Sequence, residues 1–232
     1  MSFAGYACDS CGGSFDPEDV VYGCPSGCGN VFVRVDLGRA SRGAIDDSDD
    51  RSMWRYGALL PVATPDEGKG PLRFVGGTPL YRADRVARRL GLRRVWIKDE
   101  GRMPTGSLKD RASAVVVQRA VAIGAQTVVT AATGNAGVAL AAMGCAAGVR
   151  TVILVPQSAP PAKIAQLQVF GATLVLVRGT YDDAFELSDR AARELGWYCR
   201  NTGQNPFTVE GKKTTAYEII EDLGWRAPDR IV

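Results

Sequence analysis

From Gly77 onward, short runs of β-branched residues alternate with longer stretches in which apolar side chains recur at helical spacing. The pattern predicts strands at residues 95–98, 127–131, 151–155, 173–177 and 197–201. It predicts helices at 107–124, 135–148, 162–171 and 182–196, each ending at or near a glycine able to adopt the left-handed cap. Alternation at this spacing implies right-handed βαβ units, and so an α/β fold with a parallel sheet flanked by helices on both faces. A last helix is predicted at 210–223, and residues 229–232 read as the opening of another strand.

The first 76 residues follow a different pattern. Residues 1–36 are rich in Gly and Cys and carry only short β-type runs, Val20-Val21-Tyr22 and Val31-Phe32-Val33, too little apolar surface to hold a core without a staple. From Gly38 to about Arg51 the chain turns polar, and Asp46-Asp47-Ser48-Asp49-Asp50 repels itself, which is the composition of a solvated linker. Met53-Trp54-Arg55-Tyr56 and Leu59-Leu60-Pro61-Val62 then supply bulky anchors for an arm lying across the next domain. The expected organisation is a small module (1–36), a linker and arm (37–76) and an α/β region (77–232).

Composition narrows the chemistry. At 232 residues and 46% hydrophobic content the chain is of ordinary globular type. Its net charge is +3, and the basic residues are scattered among acids, so nucleic acid and anionic membrane are not expected partners. The apolar stretch 136–149 is too short to span a bilayer, and the N-terminus lacks the pattern of a secretory signal, so a cytoplasmic protein with a small-molecule partner is expected. The chain has no histidine, which removes Ser-His-Asp and Cys-His nucleophile systems and every histidine general base. Lysine, carboxylates, thiols or a cofactor must carry any reaction.

Of six cysteines, four form the pairs Cys8-Asp9-Ser10-Cys11 and Cys24-Pro25-Ser26-Gly27-Cys28, with glycines placed for tight knuckles. Four thiolates suit a tetrahedral ion in a closed, structural site of zinc-ribbon type; zinc is expected, and iron is the chemical rival. Cys145 and Cys199 stand singly in apolar surroundings and read as core thiols.

Two motifs suggest a reactive site. In Thr105-Gly106-Ser107-Leu108-Lys109-Asp110-Arg111 a lysine falls at a helix start, where the macrodipole disfavours a cation and so favours the neutral amine that imine formation needs. In Thr133-Gly134-Asn135-Ala136-Gly137 small residues open a second helix after a strand; its first N–H groups can hold a carboxylate, and Asn135 can donate to a phenolate oxygen. Neither place carries a G-x-G-x-x-G or Walker A pattern, which argues against a nucleotide.

Together with Gly76-Gly77-Thr78-Pro79-Leu80, these motifs resemble the tryptophan-synthase-β, or fold type II, pyridoxal phosphate enzymes. Within that group the chain is most similar to the threonine synthases, on its cysteine-bearing extension, Trp54-Arg55-Tyr56 before Leu59-Leu60-Pro61, Lys98-Asp99-Glu100-Gly101, and Glu210-Gly211-Lys212-Lys213-Thr214. The resemblance implies that Lys109 holds pyridoxal 5'-phosphate as a Schiff base and moves protons once freed. It implies that Asn135 bonds the cofactor's 3-oxygen, and that Thr133, Gly134, Asn135 and Ala136 bind the substrate carboxylate. It also implies a smaller subdomain at about 113–205, O-phospho-homoserine as substrate, and a possible homodimer when the protein is complete.

Three departures qualify the resemblance. Met103 and Leu108 stand where the family usually has Asn and Phe, and Thr208 where many threonine synthases carry arginine. The third is that the family's glycine-rich phosphate loop would follow a strand begun at Arg230-Ile231-Val232, so the catalytic region is expected to be incomplete and this chain inactive alone. A related lyase, of cysteate synthase or threonine/serine dehydratase type, and a non-catalytic truncated product are the alternatives.

Overall fold

A computed structural model describes residues 2–18, 22–38, 40–46 and 48–232. The N-terminal module is an antiparallel sheet in the order β2-β1-β3, built from β1 (Phe3–Cys8), β2 (Ser14–Phe15) and β3 (Val31–Val35). Tyr6 lies opposite Phe15, and Cys8 opposite Val31. The Val31 run is the strand the sequence predicts, whereas Val20 and Val21 lie outside the described residues. β1, in which Gly5 and two alanines dilute the apolar alternation, is not foreseen.

The polar stretch after it is not an open spacer. It contains the short helix α1 (Arg42–Asp46), with Ile45 buried and its carbonyl accepting from Arg55 at 2.7 Å. Asp50 pairs with Arg73 at 2.8 Å, and Trp225 Nε1 donates to Asp46 at 3.1 Å. Partners from elsewhere in the chain offset the self-repulsion of the acidic run. The 3-10 segment Met53–Leu59 follows and buries Met53, Trp54 and Tyr56, with Trp54 Nε1 donating to Leu72 O at 2.9 Å, and a second 3-10 segment spans Glu67–Leu72.

β4 (Leu80–Arg82), α2 (Asp84–Arg89) and β5 (Trp96–Lys98) come next. Here the structure corrects the sequence reading: residues 96–98 do not join the parallel sheet but pair antiparallel with β4, Leu80 opposite Lys98. Three residues per strand are too few for a period-2 pattern to register, so the partner strand passed unseen.

The remaining elements are α3 (Lys109–Ala122), β6 (Thr127–Ala131), α4 (Asn135–Ala147), β7 (Arg150–Pro156), α5 (Pro161–Val169), β8 (Thr173–Val177), α6 (Tyr181–Leu195), β9 (Tyr198–Cys199) and α7 (Phe207–Asp222). The four strands form one parallel sheet in the order β8-β7-β6-β9. α6 packs on one face, where Ala184 and Ala192 meet Val129, Val152 and Leu154. α3 and α4 pack on the other, where Val115, Val116 and Val117 share a core with Val128, Leu140 and Met143. The strand order reverses between β6 and β9, and a reversal of this kind opens a crevice at the carboxyl ends of the two strands.

α7 lies directly against α3. A Cβ on Gly211 would stand 2.0 Å from Arg111 O, so only glycine permits this approach. α7 starts at Phe207, three residues before the predicted 210, because Pro206 sits at its cap. Phe207 is buried against the N-terminal module: its ring lies 5.3 Å from that of Phe3 and 6.2 Å from that of Tyr6, with the Arg119 guanidinium over Phe3 and Phe207. Residues 229–232, predicted to open a strand, are irregular, and Ile231 and Val232 are exposed, since a strand forms only against a partner.

Candidate functional site

Helices α3 and α4 flank β6 in sequence, and the four-residue return from α3 to β6 is short, so both helices run antiparallel to the sheet strands. Their N-termini therefore lie together at the carboxyl end of the sheet, beside the reversal point. Lys109 opens α3 and Asn135 opens α4, so the topology brings the two predicted motifs to the same end of the molecule.

The loop before Lys109 is fixed from below. Asp110, fully buried, accepts from Thr105 N at 2.7 Å and from the Thr105 hydroxyl, and Ser107 Oγ accepts from Lys109 N at 3.1 Å. Burial pushes the Asp110 carboxyl up, and the Thr105 bonds pull it partly back. Arg111, also fully buried, reaches Glu100 at 2.8 Å and Glu218 at 2.6 Å, and its Nη1 donates to Thr214 at 2.9 Å. With its two neighbours anchored inward, Lys109 is left half-buried on another side of the helix. Among the described residues its ammonium has no hydrogen-bond or ion-pair partner.

The other lysines near this end are engaged. Lys98 Nζ pairs with Glu218 at 2.9 Å and Asp222 at 3.0 Å, and donates to Thr78 O at 2.6 Å. Lys163 Nζ donates to Asn135 Oδ1 at 3.0 Å and to Gln166. That bond occupies the amide oxygen of Asn135 and leaves its NH2 group to donate elsewhere. Gly134 caps α4 without any side-chain bond, so the first amides of the helix stay available to an anion. A free amine, an amide donor and an uncapped helix start together fit the amine and ring of a pyridoxal cofactor and the carboxylate of an amino acid.

Sequence reasoning missed the polar group on the other side of the reversal point. Asn201, just past β9, accepts from Ala131 N at 2.9 Å and Thr130 Oγ1 at 3.0 Å, binding the carboxyl ends of β6 and β9 together. Arg200 continues that strand pairing through its N–H to Val129 O at 2.8 Å, and its side chain is fully buried. A charged residue at the carboxyl end of a sheet strand was the available signal. Thr208 is buried, with its hydroxyl donated to Asn205 O at 2.8 Å. Met103 is buried, and its sulfur accepts from Gly76 N at 3.3 Å.

The cysteine pairs converge as predicted. The Sγ atoms of Cys8, Cys11, Cys24 and Cys28 all lie within 4.8 Å of one another, with Cys8–Cys28 at 3.6 Å, Cys11–Cys24 at 3.9 Å and Cys24–Cys28 at 3.4 Å. Four sulfurs at about 2.3 Å from a tetrahedral ion would stand ~3.8 Å apart, so the cage has the size a metal requires. Gly12 and Gly27, both at φ +69°, turn the two knuckles. Hydrogen bonding from Cys24 first, then from Cys11 and Cys8, pushes the Cys28 thiol up to about 12, so four thiols this close do not ionise together without a cation. Cys199 is buried and its thiol is raised to about 11 by burial, whereas Cys145 is exposed and so is not the core thiol its sequence surroundings suggested.

A cavity of about 630 Å³ opens at the opposite end of the sheet, lined by Tyr22, Gln126, Arg150, Arg193 and Trp197, well away from Lys109. No helix among the described residues is long and apolar enough to cross a membrane.

Comparison with known proteins gives the same frame. Residues 72–232 match the family described as pyridoxal-phosphate dependent enzymes. The chain is 36% identical over 230 residues to the threonine synthase of Methanocaldococcus jannaschii, covering 97% of this chain and 56% of that protein. It is 35% identical to the threonine synthase of Methanosarcina acetivorans, covering 97% of this chain and 55% of the relative. The chain thus spans little more than half the length of these relatives. Among solved structures, an O-ureido-L-serine synthase superposes with a TM-score of 0.61 at 32% identity, over 67% of this chain and 51% of that one. The cysteine synthase of Entamoeba histolytica superposes with a TM-score of 0.62 at 26% identity, over 71% of this chain and 52% of that one.

Proposed function

The chain belongs to the pyridoxal-phosphate dependent enzymes, and from that premise we propose that it serves as a threonine synthase, converting O-phospho-homoserine and water to threonine and inorganic phosphate. The observation that carries the assignment is Lys109: unlike Lys98 and Lys163 it has no partner among the described residues, and it opens a helix beside the uncapped start of α4.

Bound pyridoxal phosphate supplies an electron sink for carbanions at the substrate carbons. The chain's own groups do the rest. The Lys109 amine holds the cofactor covalently and, once displaced by the substrate amine, carries protons between substrate carbons. The Asn135 NH2 donates to the ring's 3-oxygen, and the backbone of Thr133, Gly134, Asn135 and Ala136 takes the substrate carboxylate. Asp110 and Ser107 keep the lysine loop in place. Zinc, bound by Cys8, Cys11, Cys24 and Cys28, has a structural role, because four thiolates leave no open coordination position. In this division residues 1–36 are the metal module, 37–76 the arm, and 77–232 the catalytic region with 113–205 as its smaller subdomain.

The test is borohydride reduction in the presence of pyridoxal phosphate, followed by peptide mapping. The pyridoxyl group is expected on Lys109; label on Lys98 or Lys163 instead removes the assignment. The neutral, buried Thr208 favours, as a second reading, a related enzyme acting on an unphosphorylated amino acid or a sulfonate, and substrate profiling separates the two.

A further inference from the structure

Arg111 and Arg200 are both fully buried, and they are satisfied in opposite ways. Arg111 sits between two carboxylates. Arg200 has neutral partners only: Nε donates to Ser113 Oγ at 3.2 Å and Nη1 to Thr202 Oγ1 at 2.7 Å, while Nη2 has no partner at all. A guanidinium shut away from water without an anion is costly, and folds keep one where a ligand completes it. Burial alone pulls this group down, to about 10, as expected of an uncompensated cation.

Its position ties it to the reactive lysine. Ser113 lies four residues after Lys109 on α3, so the two share one helix face, and Arg200 bonds the residue stacked below the amine. Thr202, its other partner, is exposed, so the guanidinium lies just under the surface at the carboxyl end of β9. On α7, Lys212 is half-buried and held down by burial and by the charges of Arg200 and Lys109. The one acid near it on that helix, Glu210, is already paired with Lys213. Three cations converge here without an acid of their own.

We propose that Arg200, supported by Lys212, is the anchor for a phosphate monoester carried on the side chain of the amino-acid substrate. The guanidinium fork matches phosphate oxygens in a bidentate fashion, and two positive charges match a dianion, whereas the substrate's α-carboxylate is served by the amides that open α4. The proposal rests on the reading of Lys109 as the cofactor lysine, and it names the substrate class of that same site.

The experiment is thermal unfolding of the full chain in inorganic phosphate, in O-phospho-homoserine and in pyridoxal phosphate, against chloride at equal ionic strength, for wild type, Arg200→Gln, Arg200→Lys and Lys212→Gln. Phosphate and O-phospho-homoserine are expected to raise the wild-type midpoint saturably. Arg200→Gln should weaken both by roughly tenfold or more, and Arg200→Lys should recover part of the loss. Affinity for pyridoxal phosphate should stay within about twofold of wild type. Unchanged phosphate binding in Arg200→Gln overturns the proposal, and so does an equal loss for pyridoxal phosphate, which would give Arg200 to the cofactor. Should Arg200→Gln fail to fold, Lys212→Gln decides: weaker phosphate binding supports the anchor, and unchanged binding refutes it. Peptide mapping of the same samples keeps the two ideas apart, because loss of the Lys109 adduct with the phosphate effect intact refutes the cofactor reading alone, and the converse refutes the anchor alone.

Discussion

Arg111 and Glu218 face each other through two hydrogen bonds, Nη1 to Oε1 at 2.6 Å and Nη2 to Oε2 at 2.8 Å, and join the first turn of α3 to the last turns of α7. Both side chains are almost without solvent contact, so removing one partner strands the other's charge. Glu218→Gln is expected to cost about 3–5 kcal/mol in denaturant unfolding, and Arg111→Met with Glu218→Leu together much less than the sum of the single changes. Additive losses in that cycle would mean that the pair is not coupled.

The same carboxylate sets an acid limit. Burial pushes Glu218 up, but its bonds and charge attraction to Arg111, with help from Lys98, outweigh this and hold it below the ordinary 4.5. A carboxyl lowered by folding contributes stability that is fully present above the unfolded value and is lost as pH falls through the folded one. Thermal midpoints should therefore fall as pH drops below about 4.5, and Glu218→Gln should flatten that slope. An unchanged slope in the variant would assign acid loss to other groups.

Lysines at this end of the sheet should divide by partner. Lys109→Ala strips no contact from any described residue, so its stability should stay within about 0.5 kcal/mol of wild type while the borohydride adduct disappears. Lys98→Ala removes a cation from Glu218 and Asp222 and should destabilise without abolishing the adduct. A large loss of stability in Lys109→Ala would show a structural role for that amine.

Cys11→Ser is expected to remove a near-equimolar metal, measured by elemental analysis, and to collapse the amide dispersion of residues 2–35 while β6 to β9 keep theirs. A metal-free protein with an undisturbed N-terminal spectrum would refute the metal site.

Gly211→Ala places a methyl group 2.0 Å from Arg111 O. α7 must move away from α3, at a cost of about 1–3 kcal/mol or more. Since α7 also carries Lys212, phosphate affinity should fall together with stability, read by thermal unfolding with and without phosphate.

How much of this was legible from sequence depended on run length. β6 and β8 are five-residue β-branched runs, and α4 and α6 end at Gly148 and Gly196 in the left-handed conformation, so their positions were readable to within a residue or two. The β4–β5 pair was not, because three-residue strands leave no periodic trace, and their pairing is set by where Lys98 must stand to reach Glu218. The cysteine cage was written in local spacing and two glycine knuckles. Arg200 was not, since the significance of a buried cation lies in which carboxylates fail to surround it, and that is decided by α3 and α7, distant in sequence. Asn201 escaped for a similar reason: its bonds to Thr130 and Ala131 bridge seventy residues or more of chain.

The docking of the N-terminal sheet on Phe207 has a consequence for synthesis on the ribosome. Phe3 and Tyr6 lie against an aromatic side chain that emerges only after residues 36–206 have been made. At about 5–20 residues per second the module waits roughly 10 to 35 s for that partner. During this interval its aromatic face is open to solvent and to chaperones, and the cysteine cage is the device available to hold its knuckles in register. Metal supply during translation, rather than in the finished enzyme, would then govern the yield of folded chain.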